Sequence, residues 1–123
     1  MINRTTRAAT VLAAGLSLLP VIAFAHAHLD HSMPKAGASV SPAPKEVAIW
    51  FTEALEPKFS SIDVRDSKGG RVTDGTATLA PGNTAELHVP LKSLPPGTYH
   101  VIWRVLSVDT HRTQGDFTFS VRP

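Results

Sequence analysis

From Val47 onward, apolar residues recur at every second position in short runs, and each run is cut off by a turn rich in Pro, Gly or polar residues. That period belongs to half-buried β-strands, and no segment behind residue 25 sustains the 3.6-residue apolar period that would seat a helix. Val47, Ile49 and Phe51 alternate with Ala48, Trp50 and Thr52, and Ile62 and Val64 alternate with Asp63 and Arg65 ahead of a Lys68-Gly69-Gly70 turn. Further strands are expected at 71–73, 76–79, 85–89, 98–108 and 116–121, separated by Pro81-Gly82-Asn83, Pro95-Pro96-Gly97 and a polar stretch at 110–115. Residues 36–45 read as a loop closed by Pro42 and Pro44. In the longest strand Tyr99, Val101, Trp103 and Val105 share one face, but the other face also carries Ile102 and Leu106, so this strand belongs in the middle of a sheet. Phe117, Phe119 and Val121 close the core, and Trp50 and Trp103 read as packing residues. Short strands with frequent turns argue for an all-β fold, an antiparallel β-sandwich or small Greek-key barrel.

The first 25 residues are expected to be a cleaved export signal. Arg4 and Arg7 precede an apolar run at 8–24, and Ala23 and Ala25 occupy the small-residue positions of a cleavage site. Gly15, Ser17 and Pro20 interrupt that run, which is short for a spanning helix of about 20 residues. Cleavage then exposes His26, or His28 if the alternative Ala25-His26-Ala27 site is used. The domain expected at 26–123 leaves room for one core. The precursor has 12 basic and 10 acidic residues, and the signal removes two of the former, Arg4 and Arg7, so the mature chain is balanced at 10 against 10. With no Lys/Arg run in that sequence, a nucleic-acid or anionic-membrane partner lacks its electrostatic footprint. There is no cysteine, so no disulfide reinforces the core and any metal must be held by nitrogen and oxygen.

Three of the six histidines, His26, His28 and His31, fall within six residues at the expected mature start. A free N-terminal histidine offers its amine and its ring nitrogen to one ion, a chelate no internal histidine can form. Nitrogen donors in a plane suit tetragonal Cu(II), which also stands near the top of the divalent affinity order. The amine must lose its proton first, so affinity should rise with pH. Asp109 and His111 are the candidates for the other ligands, since residues two apart in an extended segment point the same way; on spacing alone they also read as polar turn residues. His28 either adds to that site or competes with it, through an amine, two deprotonated amides and a third-position imidazole that wrap Cu(II) without help from the fold. His31 reads as a solvated surface residue, and His88 and His100 as structural or exposed. Glu53 is a candidate to hydrogen-bond a ligand from outside the coordination sphere.

These residues carry a resemblance. His-Ala-His-Leu at 26–29, Pro34 with Gly37, Phe51-Thr52-Glu53, Pro96-Gly97-Thr98-Tyr99 with Trp103-Arg104, Ser107-Val108-Asp109-Thr110-His111, and Gly115 ahead of Phe117-Thr118-Phe119 occur in the order found in the small periplasmic copper-resistance proteins of the CopC family, including its YobA-like branch. The chain resembles that family over essentially its whole mature length. The resemblance implies a seven-stranded antiparallel Greek-key β-barrel or sandwich of cupredoxin or immunoglobulin-like type. It also implies a Cu(II) site made by His26, Asp109 and His111 with Glu53 nearby, and it favours His26 over His28 as the first residue. Some members carry a second, Cu(I) site in a methionine-rich segment, whereas residues 60–78 here hold no methionine and Met33 is the one methionine behind the signal. One Cu(II) per chain and no Cu(I) methionine site are therefore expected.

The expected function is a periplasmic Cu(II)-binding protein for sequestration, transport or resistance, a monomer, with an inner-membrane copper transporter of the CopD type as a candidate partner. A copper-dependent oxidative enzyme of the N-terminal-histidine type is the alternative; Asp109 would there fill a coordination position that oxygen chemistry needs open. A third reading, an adhesive β-sandwich with incidental histidines, expects Asp109→Ala and His111→Ala to leave copper affinity unchanged.

Overall fold

The computed structural model describes residues 27–123; the expected signal segment and His26 lie outside the described residues. Eight strands run in the order β1 Leu29–Met33, β2 Ser39–Val40, β3 Glu46–Phe51, β4 Ser61–Arg65, β5 Thr78–Ala80, β6 Asn83–Pro90, β7 Gly97–Leu106 and β8 Arg112–Val121, with one 3-10 turn at Pro57–Phe59. They form two four-stranded sheets, β1-β3-β6-β5 and β2-β8-β7-β4, packed face to face as a sandwich. Within the sheets the pairing is antiparallel except for β2, which runs parallel to the end of β8.

The period-two pattern sorts residues onto the two faces as expected. Val47, Ile49 and Phe51 of β3 and Leu87 and Val89 of β6 point inward from one sheet; Ile62, Val64, Tyr99, Val101, Trp103, Val105, Phe117, Phe119 and Val121 point inward from the other. Aromatic pairs form one contact between the layers, Phe51 of β3 with Trp103 of β7, and one within a sheet, Tyr99 of β7 with Phe119 of β8. Phe51 meets Trp103 edge-on at 5.2 Å between ring centroids, and Tyr99 stacks with Phe119 at 5.5 Å. Each such pair adds roughly 0.5–1.5 kcal/mol to the burial of its rings. Gly115 faces Trp103 across the β7–β8 ladder, and a methyl group there would stand 2.4 Å from the indole.

Three expectations need adjustment. There are eight strands where seven were expected: β1 and β2 are gained and 71–73 is lost, β2 forming inside the stretch at 36–45 read as a loop by pairing with the end of β8, and β1 pairing with the edge of β3 without an alternating apolar pattern of its own, with only Ser32 among its five residues buried. β8 begins at Arg112, inside the stretch read as a separator, because β7 supplies a continuous ladder opposite it from Leu106 to Gly97. Of the strand expected at 71–73, two isolated bridges are formed, Arg65 with Arg71 and Thr73 with Leu91.

Candidate metal centre

The hairpin joining β7 to β8 carries Ser107, Asp109 and His111. It is not extended, as the two-apart argument supposed. The Thr110 N–H donates to the Ser107 carbonyl at 2.9 Å, the Ser107 N–H donates to the His111 carbonyl at 3.0 Å, and Thr110 sits at φ +72°, so the chain reverses tightly between the two strands. The reversal still brings the two side chains together, with His111 Nδ1 3.3 Å from Asp109 Oδ2. Asp109 and His111 are both open to solvent, while Ser107 beneath them is fully buried.

Ser107 organises the pair. Its hydroxyl donates to Asp109 Oδ1, and its oxygen accepts the His111 backbone N–H at 3.3 Å. The hydrogen bond from Ser107, followed by that from His111, holds the Asp109 carboxyl below the ordinary aspartate value. Asp109 is therefore an anion across the neutral range, with Oδ2 turned toward the imidazole. Two donors bound at about 2.0 Å and at right angles on one ion stand about 2.8 Å apart, so a carboxylate and an imidazole at 3.3 Å need only a small closure to share it.

The N-terminal arm reaches this hairpin from the far end of the sequence. Ala27 is fully buried, and its carbonyl accepts a hydrogen bond from Thr113 Oγ1 at 2.6 Å. His28 is pinned on both sides of its backbone: its N–H donates to Thr52 Oγ1 at 3.0 Å, and its carbonyl accepts the Thr52 N–H at 2.9 Å. Thr52 follows β3 in one sheet and Thr113 lies in β8 of the other, so the arm closes the end of the sandwich where the β7–β8 hairpin emerges. Thr113 is two residues past His111, roughly 7 Å of extended chain.

The remaining candidates fall in different places. Glu53 is half-buried in the bend after β3, one residue beyond Thr52. The His28 ring side is exposed at the arm. His31, His88 and His100 are away from the hairpin and have structural partners. His31 stacks on Trp50 at 4.4 Å and contacts Asp30 at 2.7 Å; His88 lies between Glu46 at 3.2 Å and Glu86; His100 pairs with Asp116 at 2.7 Å. Among the described residues no group of three His, Asp or Glu side chains is placed to hold one metal ion, so within them the hairpin supplies two ligands and not three. Sequence reasoning gave no role to Ser107, Thr52 or Thr113. Ser107 was visible inside its five-residue motif, but the Thr113 contact spans 86 residues and leaves no local trace.

A CopC domain model matches residues 29–122. Protein YobA of Escherichia coli strain K12 is 41% identical over 107 residues, covering 86% of this chain and 86% of that protein. Copper resistance protein C of Escherichia coli is 36% identical over 107 residues, covering 81% of this chain and 84% of that protein. The crystal structure of CopC from Methylosinus trichosporium OB3b superposes with a TM-score of 0.75 at 36% identity, over 80% of this chain and 95% of that one.

Proposed function

The chain belongs to the CopC family, and from that premise we propose that the exported protein, starting at His26, binds one Cu(II) ion in the periplasm through the amine and ring of His26 with Asp109 and His111. The family is one of copper-binding resistance proteins, and the chain is a binding protein and not an enzyme. The finer reading rests most on one observation: Thr113, two residues from His111, holds the carbonyl of Ala27, and one peptide unit separates Ala27 from position 26. In this reading the His26 amine joins an ionised Asp109 and an imidazole that lies 3.3 Å from it. The mixed nitrogen and oxygen donor set suits Cu(II) and not the softer Cu(I). Met33 stands on β1, away from the β7–β8 hairpin, and the stretch at 60–78 offers serine, threonine, aspartate and arginine but no thioether. The reading is therefore of a single Cu(II) site and no Cu(I) methionine site.

The arm also bears on His28. In the competing mode the amide nitrogens of residues 27 and 28 must lose their protons to copper. The His28 N–H is committed to Thr52 Oγ1 at 3.0 Å, so wrapping the ion that way breaks a contact the folded protein makes. The fold thus favours the site shared with the hairpin, leaving the His28 ring at its margin. Glu53, near Thr52, is suited to hydrogen-bond a ligand from outside. In this reading the protein sequesters or carries copper as a monomer and passes it to a membrane transporter. Copper titration of the mature protein, followed by electron paramagnetic resonance, tests it. One equivalent should bind tightly, and Asp109→Asn or His111→Ala should weaken it by more than about 100-fold, beyond what losing an outer partner does. Unchanged affinity in both variants would remove the hairpin from the site.

A further inference from the structure

Beside the β7–β8 hairpin, the fold collects cations that the sequence keeps apart. Arg104 of β7 and Arg112 of β8 face outward from neighbouring strands, Arg104 opposite Gln114 and Arg112 opposite Leu106. Lys58 stands on the 3-10 turn, which packs against β7. All three are exposed, and none forms an ion pair among the described residues. Elsewhere on this face charge is matched: Arg65 and Arg71 approach Asp63 at 2.7 and 3.2 Å, and His100 approaches Asp116 at 2.7 Å. The nearest unmatched acid of the turn is Glu56, at its start. Arg104 lines three adjoining recesses on this sheet, one shared with Lys58, one with Phe59 and Arg112, and one with His100 and Asp116.

Apolar exposure falls in the same area. Of the three large hydrophobic side chains that the described residues leave exposed, Phe59 at 59% shares a recess with Arg104 and Arg112, and Val108 at 52% sits in the hairpin between Ser107 and Asp109. Arg112 directly follows His111. A ring of unmatched cations with an exposed aromatic is the composition of a docking surface: the cations steer an oppositely charged partner, guanidinium forks bind carboxylates in pairs, and the ring supplies buried area.

We propose that Lys58, Phe59, Arg104, Arg112 and Val108 form the docking face for a carboxylate-rich protein segment, which exchanges the metal at the adjacent hairpin. The purpose of the docking rests on the copper reading above; the surface itself does not. A protein partner fits better than a lipid one. The three cations left unmatched are fewer than the about four to eight clustered residues with which basic segments hold anionic lipid, and Arg65 and Arg71 on the same face are already committed to Asp63.

The test uses two probes. A short Glu-rich peptide carrying one Phe, and its Gln-for-Glu counterpart, are titrated into the metal-free mature protein and followed by amide chemical shifts. Shifts should concentrate on 58–59, 104, 108 and 112 with the Glu peptide at low salt and vanish with the Gln peptide. The same peptides carrying a copper-chelating head then accept metal from the loaded protein. Transfer to the Glu form should slow by at least about tenfold, the scale of electrostatic steering, in the triple variant Lys58→Gln, Arg104→Gln, Arg112→Gln, while transfer to the Gln form is unaltered. Thermal unfolding and copper affinity of that variant should match the parent. Shifts scattered over the surface, equal rates in parent and variant, or sedimentation of the parent but not the variant with anionic vesicles would each overturn the proposal. Failure of copper binding with the peptide shifts intact would instead count against the copper site and leave the docking face standing.

Discussion

Thr113→Val removes one hydroxyl and almost nothing else. Valine has the same shape and, like threonine, favours a strand, so β8 keeps its geometry and no cavity opens. What is lost is the 2.6 Å bond to the Ala27 carbonyl, on a residue with no exposed surface. A buried carbonyl left without its donor costs about 1–3 kcal/mol. The protein has a cheaper response, since the two bonds between His28 and Thr52 remain and only the first residue of the arm needs to come loose. Copper binding must then immobilise that residue again, at about 1–2 kcal/mol of backbone entropy. With about 1.4 kcal/mol per factor of ten, Cu(II) affinity should fall roughly 5- to 30-fold. The assay is a competition titration against a chelator of known affinity, with thermal unfolding of the metal-free protein in parallel. Tm should shift by no more than a few degrees, and Thr113→Ser should restore affinity. Affinity within twofold of the parent, or a large fall in Tm with affinity intact, would show that this bond serves the core and not the site.

Ser107→Ala strips the donor from Asp109 and the acceptor from the His111 N–H, so copper affinity should drop about 10- to 100-fold, and the Asp109 carboxyl of the metal-free protein should titrate closer to an ordinary aspartate by NMR. Gly115→Ala forces a methyl group against the buried Trp103 ring, 2.4 Å from Cζ2; unfolding should show a loss of about 1–3 kcal/mol, and a loss below about 0.5 kcal/mol would mean the indole has room to move. His88 is opposed by burial, but its hydrogen bonds to Glu86 and then Glu46 outweigh that and raise its titration above the ordinary imidazole value, while the hydrogen bond from His88 lowers Glu86. The stabilisation from the raised histidine is complete below about pH 6.5 and is lost as pH rises through its folded value; that from Glu86 is complete above about pH 4.5 and is lost as pH falls through its folded value. Glu86→Gln should therefore lower the His88 titration point by NMR and flatten the stability loss above about pH 6.5; an unmoved titration point would contradict the pairing.

Much of the sandwich was legible because its strands have one wet face and one dry one. Val47, Ile49 and Phe51, and Phe117, Phe119 and Val121, announced their inward faces through alternation. β1 did not, since an edge strand with one buried residue in five carries no such pattern. The start of β8 was hidden for a related reason: its residues facing Trp103 and Val105 are Gly115 and Thr113, one small and one committed to the arm, so the apolar signal lapses where the strand is regular. At the candidate site, the meeting of Asp109 with His111 was anticipated, but through the wrong local geometry: a tight reversal around Thr110 joins them, not strand alternation. The hydroxyls of Ser107, Thr52 and Thr113 were silent in sequence. Their roles depend on which backbone groups the fold delivers to them, and composition does not record that.

In the proposed reading export makes the site, by turning His26 into an N-terminus at the end of an arm that Thr113 and Thr52 hold against the hairpin. Mass spectrometry first establishes that the exported chain starts at His26. Cu(II) titration of that protein is then compared with a version carrying one extra residue ahead of His26, which leaves every side chain in place and removes only the free amine from that position. The extension should weaken Cu(II) binding by more than about 100-fold, a greater loss than removing a hydrogen-bond partner of a ligand brings, with thermal stability of the metal-free protein unaltered. Equal affinity in the two proteins would contradict the reading.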